Sequence, residues 1–232
     1  MKNWSLSKKV VVADICNTLY DSNTTYDFIK YCIATDKLPA FTKMVYPCIL
    51  SRVSPFFWAI SLVQKAINKD IFKTIIVSFL KGHSIQDVKE WAEHFYEDVL
   101  QDRIIGQTFS ILKEYNPDDI VLVSSTLEPI AATIAERLSI RHFLATTLVK
   151  NNSHYTGEIE RELSGTKLAA LQNKFQDGIE LELVISDNFT DKELMSRSDK
   201  KIAVCYNKQH ERYWSALPGV TILNITASND RV

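Results

Sequence analysis

Five short runs of apolar and β-branched residues constrain this chain more than any other feature. They are Lys9-Val10-Val11-Val12-Ala13, Ile120-Val121-Leu122-Val123, Leu181-Glu182-Leu183-Val184-Ile185, Lys201-Ile202-Ala203-Val204-Cys205 and Val220-Thr221-Ile222-Leu223. Runs of this length and composition suit strands buried on both faces of a parallel sheet. Helical patterns separate the later runs, at 129–138, 165–175, 191–197 and 208–216. Strands alternating with helices predict an α/β fold with a doubly wound, Rossmann-like parallel sheet.

The first two runs lie too far apart for one crossover. The interval reads as mostly helical, with patterns at 25–34, 40–51, 56–67, 70–80 and 84–100. It predicts a helical insertion over about 23–101, a core formed by 1–22 and 102–232, and a return helix over 103–115. Asn151-Asn152 and Thr156-Gly157 predict a β-hairpin over 146–159 on the core.

The 46% hydrophobic content of these 232 residues suffices for a buried core. A formal net charge of -1 argues against a nucleic-acid partner. Cys16, Cys32, Cys48 and Cys205 form no CxxC pair, so a reduced, cytoplasmic protein is the simplest expectation. Met1–Lys8 is a polar lead-in, and Val10–Ala13 is too short for a secretion signal. The most apolar region, 40–63, is interrupted by Lys43 and Arg52, so no transmembrane segment is expected. Its segments Val45-Tyr46-Pro47-Cys48-Ile49-Leu50 and Pro55-Phe56-Phe57-Trp58-Ala59-Ile60 prompt a membrane-surface reading, but buried helices explain them more cheaply. Nothing in the sequence sets an oligomeric state.

In open α/β sheets, ligands bind beyond the carboxyl ends of the strands. Polar clusters stand at three such ends: Asp14-Ile15-Cys16-Asn17-Thr18-Leu19, Ser124-Ser125-Thr126 and Ser186-Asp187-Asn188-Phe189-Thr190-Asp191. A fourth, Ser164-Gly165-Thr166-Lys167, opens a helix. Singly, each has an ordinary explanation as a cap, a strand end or a solvated lysine. The ordered set resembles the four motifs of the haloacid dehalogenase superfamily, especially its phosphoserine-phosphatase-like branch with an inserted helical cap. Ile130-Ala131-Ala132-Thr133-Ile134-Ala135 and His154-Tyr155-Thr156-Gly157-Glu158-Ile159 add to that resemblance.

The resemblance implies a Mg²⁺-dependent phosphatase acting on a small phosphorylated metabolite. Asp14 would be the nucleophile, forming an aspartyl-phosphate. Ser124, with Thr18 and Ser125, would hold the phosphoryl group, and Lys167 would offset its charge and that of Asp14. Asp14, the main-chain carbonyl of Cys16, Asp187 and Asp191 would form the metal site. The physics agrees, since a carboxylate approaches an anionic phosphate only when cations compensate.

Two positions depart from the family pattern. Cys16 stands where these phosphatases carry a second aspartate that protonates the leaving oxygen and later activates water. A thiol, with a pKa of about 8.5 against about 3.9 for aspartate, is a poor substitute. Three consequences are open: good leaving groups such as acyl phosphates, a proton donor from elsewhere, or a phosphate-binding or regulatory protein with little turnover. Asp21 is a nearby candidate donor, although a solvated loop aspartate is the plainer reading. Ser186 stands where glycine usually precedes the metal aspartate, and its small size predicts tolerance. Phosphonate hydrolases of the superfamily need a cap lysine, but Lys30, Lys37, Lys43, Lys65, Lys69, Lys73, Lys81 and Lys89 have no distinguishing sequence context.

Overall fold

The computed structural model describes residues 9–67, 69–175 and 178–225; the lead-in Met1–Lys8 lies outside them. Seven strands form one sheet: β1 (Lys9–Ala13), β2 (Ile120–Leu127), β3 (His142–Asn151), β4 (His154–Arg161), β5 (Glu180–Ser186), β6 (Ser198–Cys205) and β7 (Val220–Asn224). Their order is β4-β3-β2-β1-β5-β6-β7, with every pair parallel except β3 and β4. The predicted α/β fold class is therefore observed.

Alternation along β1 explains why two apolar layers form. Val10 and Val12 join Val121, Val123 and Val184 in one cluster, with Leu171, Leu194 and Trp214. Val11 and Ala13 join Leu122, Leu183 and Ile185 in the other. Successive side chains point to opposite faces, so one strand feeds both layers. The flanking helices are α7 (Glu128–Arg137), α8 (Lys167–Lys174), α9 (Lys192–Ser196) and α10 (Lys208–Ser215).

Between β1 and β2 lie α1 (Thr24–Ala34), α2 (Thr42–Leu50), α3 (Pro55–Ile67), α4 (Ile71–Ser78), α5 (Ile85–Phe95) and α6 (Gly106–Leu112). The pattern read as one helix over 84–100 instead widens into a π-helical turn at Tyr96–Leu100. Phe28, Ile76 and Phe95 from these helices share a cluster with Ala13, Leu127 and Ile130, so the second apolar layer continues from the sheet into the helices.

Two sequence readings need correction. The hairpin exists, but its first strand starts at His142 and runs parallel to β2 before turning antiparallel to β4. The region 40–63 is not a set of buried helices, because α3 buries no residue.

The hairpin also holds the helical segment. Gly82 N donates to the Tyr155 carbonyl at 2.9 Å, and Ile85 N to the Ser153 carbonyl at 2.8 Å. This close approach explains Gly157, which has φ 82°. A Cβ there would lie 2.9 Å from Lys81 Cβ and 3.0 Å from the Ser78 carbonyl oxygen. Gly157→Ala is expected to cost about 2 kcal/mol, from both φ strain and the backbone collision. Urea unfolding of the variant measures it; a loss under about 0.5 kcal/mol would show that the hairpin can back away.

Candidate active site

The register of the central strands brings the polar clusters to one level. Ala13 aligns with Leu122 of β2 and Ile185 of β5, and Asp14 N extends the ladder to the Ile185 carbonyl at 3.0 Å. The residues just beyond those positions therefore converge at the sheet's carboxyl end. β1 lies where strand order reverses, the position at which open α/β sheets bind ligands.

Asp14 is buried there, with Oδ1 accepting from Ile15 N at 2.7 Å. Its Oδ2 accepts from Lys167 Nζ at 2.7 Å, and the same ammonium donates to Asp191 Oδ2 at 2.6 Å. Lys167, which opens α8, is only 2% exposed. Burial alone would lower its pKa, but Asp14 and Asp191 outweigh burial and hold it above the ordinary lysine value. Lys167 is therefore a fixed cation near neutral pH.

Ser186 also acts in this network. Its Oγ donates to Asp191 Oδ2 at 2.6 Å and accepts from Asn188 N at 3.1 Å. The sequence suggested tolerance at Ser186; the structure adds a hydrogen bond that glycine could not make. Thr18 links the first and third clusters, donating to Asp187 Oδ1 at 3.2 Å and accepting from Asp187 N at 3.1 Å. Burial, then the charge of Asp14, pushes the Asp187 carboxyl well above the usual carboxylate range. Burial also raises the Asp191 carboxyl above its ordinary value.

Asp14, Asp187 and Asp191 thus share the buried cation Lys167, and Asp191 Oδ1 is buried with no hydrogen-bond partner among the described residues. That imbalance fits a hard divalent cation. Among the described residues, no three His, Cys, Asp or Glu side chains form a preformed metal cage. Mg²⁺ usually takes one or two carboxylates and keeps several waters, so this donor set suits it.

Ser124 is fully buried, with its Oγ 2.9 Å from Thr126 Oγ1. Cys16 points into the same hydroxyl group: its Sγ lies 2.8 Å from Thr24 Oγ1 and 3.1 Å from Thr126 Oγ1, and those two hydroxyls are 2.6 Å apart. Burial, then Asp14, pushes the thiol pKa up, so Cys16 stays protonated. Asp21, the other donor candidate, bonds through its amide to the Arg103 carbonyl.

Sequence reasoning missed Thr24 and Glu162, gave Thr126 no role beyond its cluster, and set Lys73 aside for want of a distinguishing context. Lys73 on α4 is only 5% exposed, and its Nζ donates to the Ser125 carbonyl at 2.6 Å and to Glu162 Oε1 at 2.9 Å. The signal was present, because Lys73 shares a helix face with the buried Ile76, Val77 and Leu80. A cavity of about 90 Å³ lies here, lined by Cys16, Asn23, Tyr26, Lys73, Ser125 and Glu162 among others.

Burial pushes the Glu162 carboxyl up, but Lys73 and hydrogen bonds from Ser164 N and Thr146 bring it net below its ordinary value. A depressed carboxylate pKa adds stability above the unfolded value, about 4.3, and loses it as pH falls through the folded value. Denaturation curves should therefore lose stability more steeply below about pH 4.3 in the native chain than in Glu162→Gln. Parallel curves would remove the pair from the acid response.

Residues 11–196 match the model of the haloacid dehalogenase-like hydrolase family. A phosphoserine phosphatase of Mycobacterium tuberculosis is 23% identical over 135 residues, 55% of this chain and 44% of that protein. The chain spans about half the length of the curated relatives it matches. Among solved structures, a Bordetella pertussis Tohama I protein of unknown function superposes with TM-score 0.75 at 19% identity, over 93% of this chain and 97% of that one. A phosphoserine phosphatase captured as a phospho-aspartyl intermediate analogue gives TM-score 0.53 at 18% identity, over 94% and 93%. The family match spans most of the chain and contains all the clusters around Asp14: this protein belongs to the haloacid dehalogenase-like hydrolase family.

Proposed function

We propose that this chain is a Mg²⁺-dependent phosphatase for a small phosphorylated metabolite, with 23–101 serving as a helical cap over the site. The observation that carries the reading is the Asp14–Lys167–Asp191 bridge at the sheet's carboxyl end, beside Asp187.

Asp14 is the nucleophile. Its carboxylate oxygen bonds to phosphorus as the bond to the leaving oxygen breaks, and water then hydrolyses the aspartyl-phosphate. Lys167 keeps Asp14 oriented and offsets the approaching negative charge. Thr18, Ser124 and Ser125 bind the phosphoryl oxygens. Asp14, Asp187 and the Cys16 carbonyl would hold Mg²⁺, with Asp191 in support; the ion supplies charge compensation for the phosphoryl group. The chain's own groups supply no carboxylic acid at position 16, so substrates with good leaving groups are favoured.

Phosphate release from an acyl phosphate and an activated aryl phosphate, with and without Mg²⁺, tests this reading. Turnover that depends on Mg²⁺ and disappears in Asp14→Asn is expected; absence of such turnover on both substrates rejects it. The Cys16 thiol, held among hydroxyls, favours one alternative: a phosphate-binding or regulatory protein on the same fold. Tight binding of orthophosphate with Mg²⁺ and no turnover would select that alternative.

A further inference from the structure

Helix α3 is apolar on its outward face as well as on its inward one, where Phe57 and Ile60 sit. In a helix packed against a water-facing body, apolar residues turn inward and polar residues outward. Here Phe56, Trp58 and Leu62 are 62%, 59% and 70% exposed, and Val63 and Ile67 are exposed beside them. The polar Ser61 and Gln64 lie on the more protected side, where Gln64 Oε1 accepts from Ile71 N at 3.1 Å. Phe57 also turns toward the body and stacks on Phe72 of α4, with ring centroids 5.2 Å apart. The inward contacts are thus made, and among the described residues the outward apolar face stays exposed. Met44 on α2 and Val53 in the connecting turn, 93% exposed, extend it.

Charge is segregated in the same place. From Lys37 to Lys69 the chain carries Lys37, Lys43, Arg52, Lys65 and Lys69 with no aspartate or glutamate, although Asp36 and Asp70 flank the stretch and Asp36 pairs with Lys43 at 2.6 Å. Subtracting these five positive charges from the chain's formal net charge of -1 leaves -6 on the remainder. A basic, apolar projection on an acidic body matches the chemistry of an anionic bilayer surface and would orient the molecule toward it. Among the described residues, no single helix is long and apolar enough to cross a membrane; α2 and α3 reach that length and apolarity only together, and they meet at a 63° bend. The 13 residues of α3 span about 20 Å, short of a bilayer's apolar core of about 30 Å.

We infer that α2 and α3 form a monotopic docking surface for anionic phospholipid membranes. The exposed face of α3 enters the interface, and the basic side chains around it meet lipid phosphates. This inference does not depend on the chemistry at Asp14.

The test is co-sedimentation of the full chain with vesicles of phosphatidylglycerol mixed with phosphatidylcholine, and of phosphatidylcholine alone. Binding to the anionic vesicles is expected, at least roughly tenfold stronger than to the neutral ones and weakened by salt. Trp58→Glu with Leu62→Glu should reduce binding by roughly tenfold or more, and so should Arg52→Glu with Lys65→Glu and Lys69→Glu. All five side chains are exposed, and circular dichroism with thermal melts confirms that each variant is folded. Quenching of fluorescence by brominated lipid, diminished in Trp58→Phe, reports insertion directly. Absence of binding to anionic vesicles overturns the inference, as does equal binding by folded variants. A concentration-dependent dimer in sedimentation velocity, dissociated by Trp58→Glu in a chain that ignores vesicles, would assign the face to a second copy instead.

Discussion

Lys167→Met should destabilise the protein by about 3–5 kcal/mol and remove phosphatase turnover. The size follows from burial: the ammonium is the shared partner of Asp14 and Asp191, and every charge in that bridge is nearly inaccessible. Removing one member of a buried ion pair leaves the others desolvated and uncompensated, which costs more than the pair contributes when intact. The sign of the pH effect follows too. Lower pH protonates the stranded carboxylates and removes the unpaired charge, so the defect should shrink in acid. Urea unfolding of native and variant chains at neutral and mildly acidic pH measures both effects. A variant as stable as the native chain at neutral pH would mean that another cation already balances these carboxylates.

Cys16→Asp should act in the opposite direction. Turnover of phosphate esters with poor leaving groups is expected to rise by about 10²–10⁴-fold, with a much smaller gain on activated aryl phosphates. The surroundings are prepared for a carboxyl group. Thr24 and Thr126 already place hydroxyls within hydrogen-bond reach of the position-16 side chain. Burial and the charge of nearby Asp14, which together raise the thiol pKa, would also favour a protonated carboxyl ready to donate. Comparing kcat/KM over a leaving-group series decides the matter. Equal gains on good and poor leaving groups would place the limitation elsewhere than in proton transfer.

The sequence was legible wherever local pattern and tertiary role agree. The buried valines of β1 and the polar residues at the ends of β1 and β5 were readable from the sequence, because a central parallel strand has few alternatives; Ser124-Ser125-Thr126, read as following the second run, instead lie inside β2. β3 was half-hidden. Its parallel segment holds only Phe143-Leu144-Ala145 as an apolar core, preceded by Arg141 and His142, too short to stand out from a loop. Lys73 was set aside because its role depends on Ser125 and Glu162, both remote in sequence. α3 misled for another reason. Periodicity shows that a helix has an apolar side, and the usual inference that this side faces inward fails for Trp58 and Leu62.

The hydroxyl group around Cys16 has one more consequence. Ser124, Thr126, Thr24 and Cys16 form a continuous string in which every member can donate or accept. Orientation is shared in such a group: when one hydroxyl turns, the bonds open to its neighbours change. An anion held at Ser124 would draw that hydroxyl's hydrogen toward itself and reset the orientation of each link down to the thiol. Occupancy at Ser124 would thereby reach the Cys16 thiol, beyond the end of β1, through the turning of hydrogens.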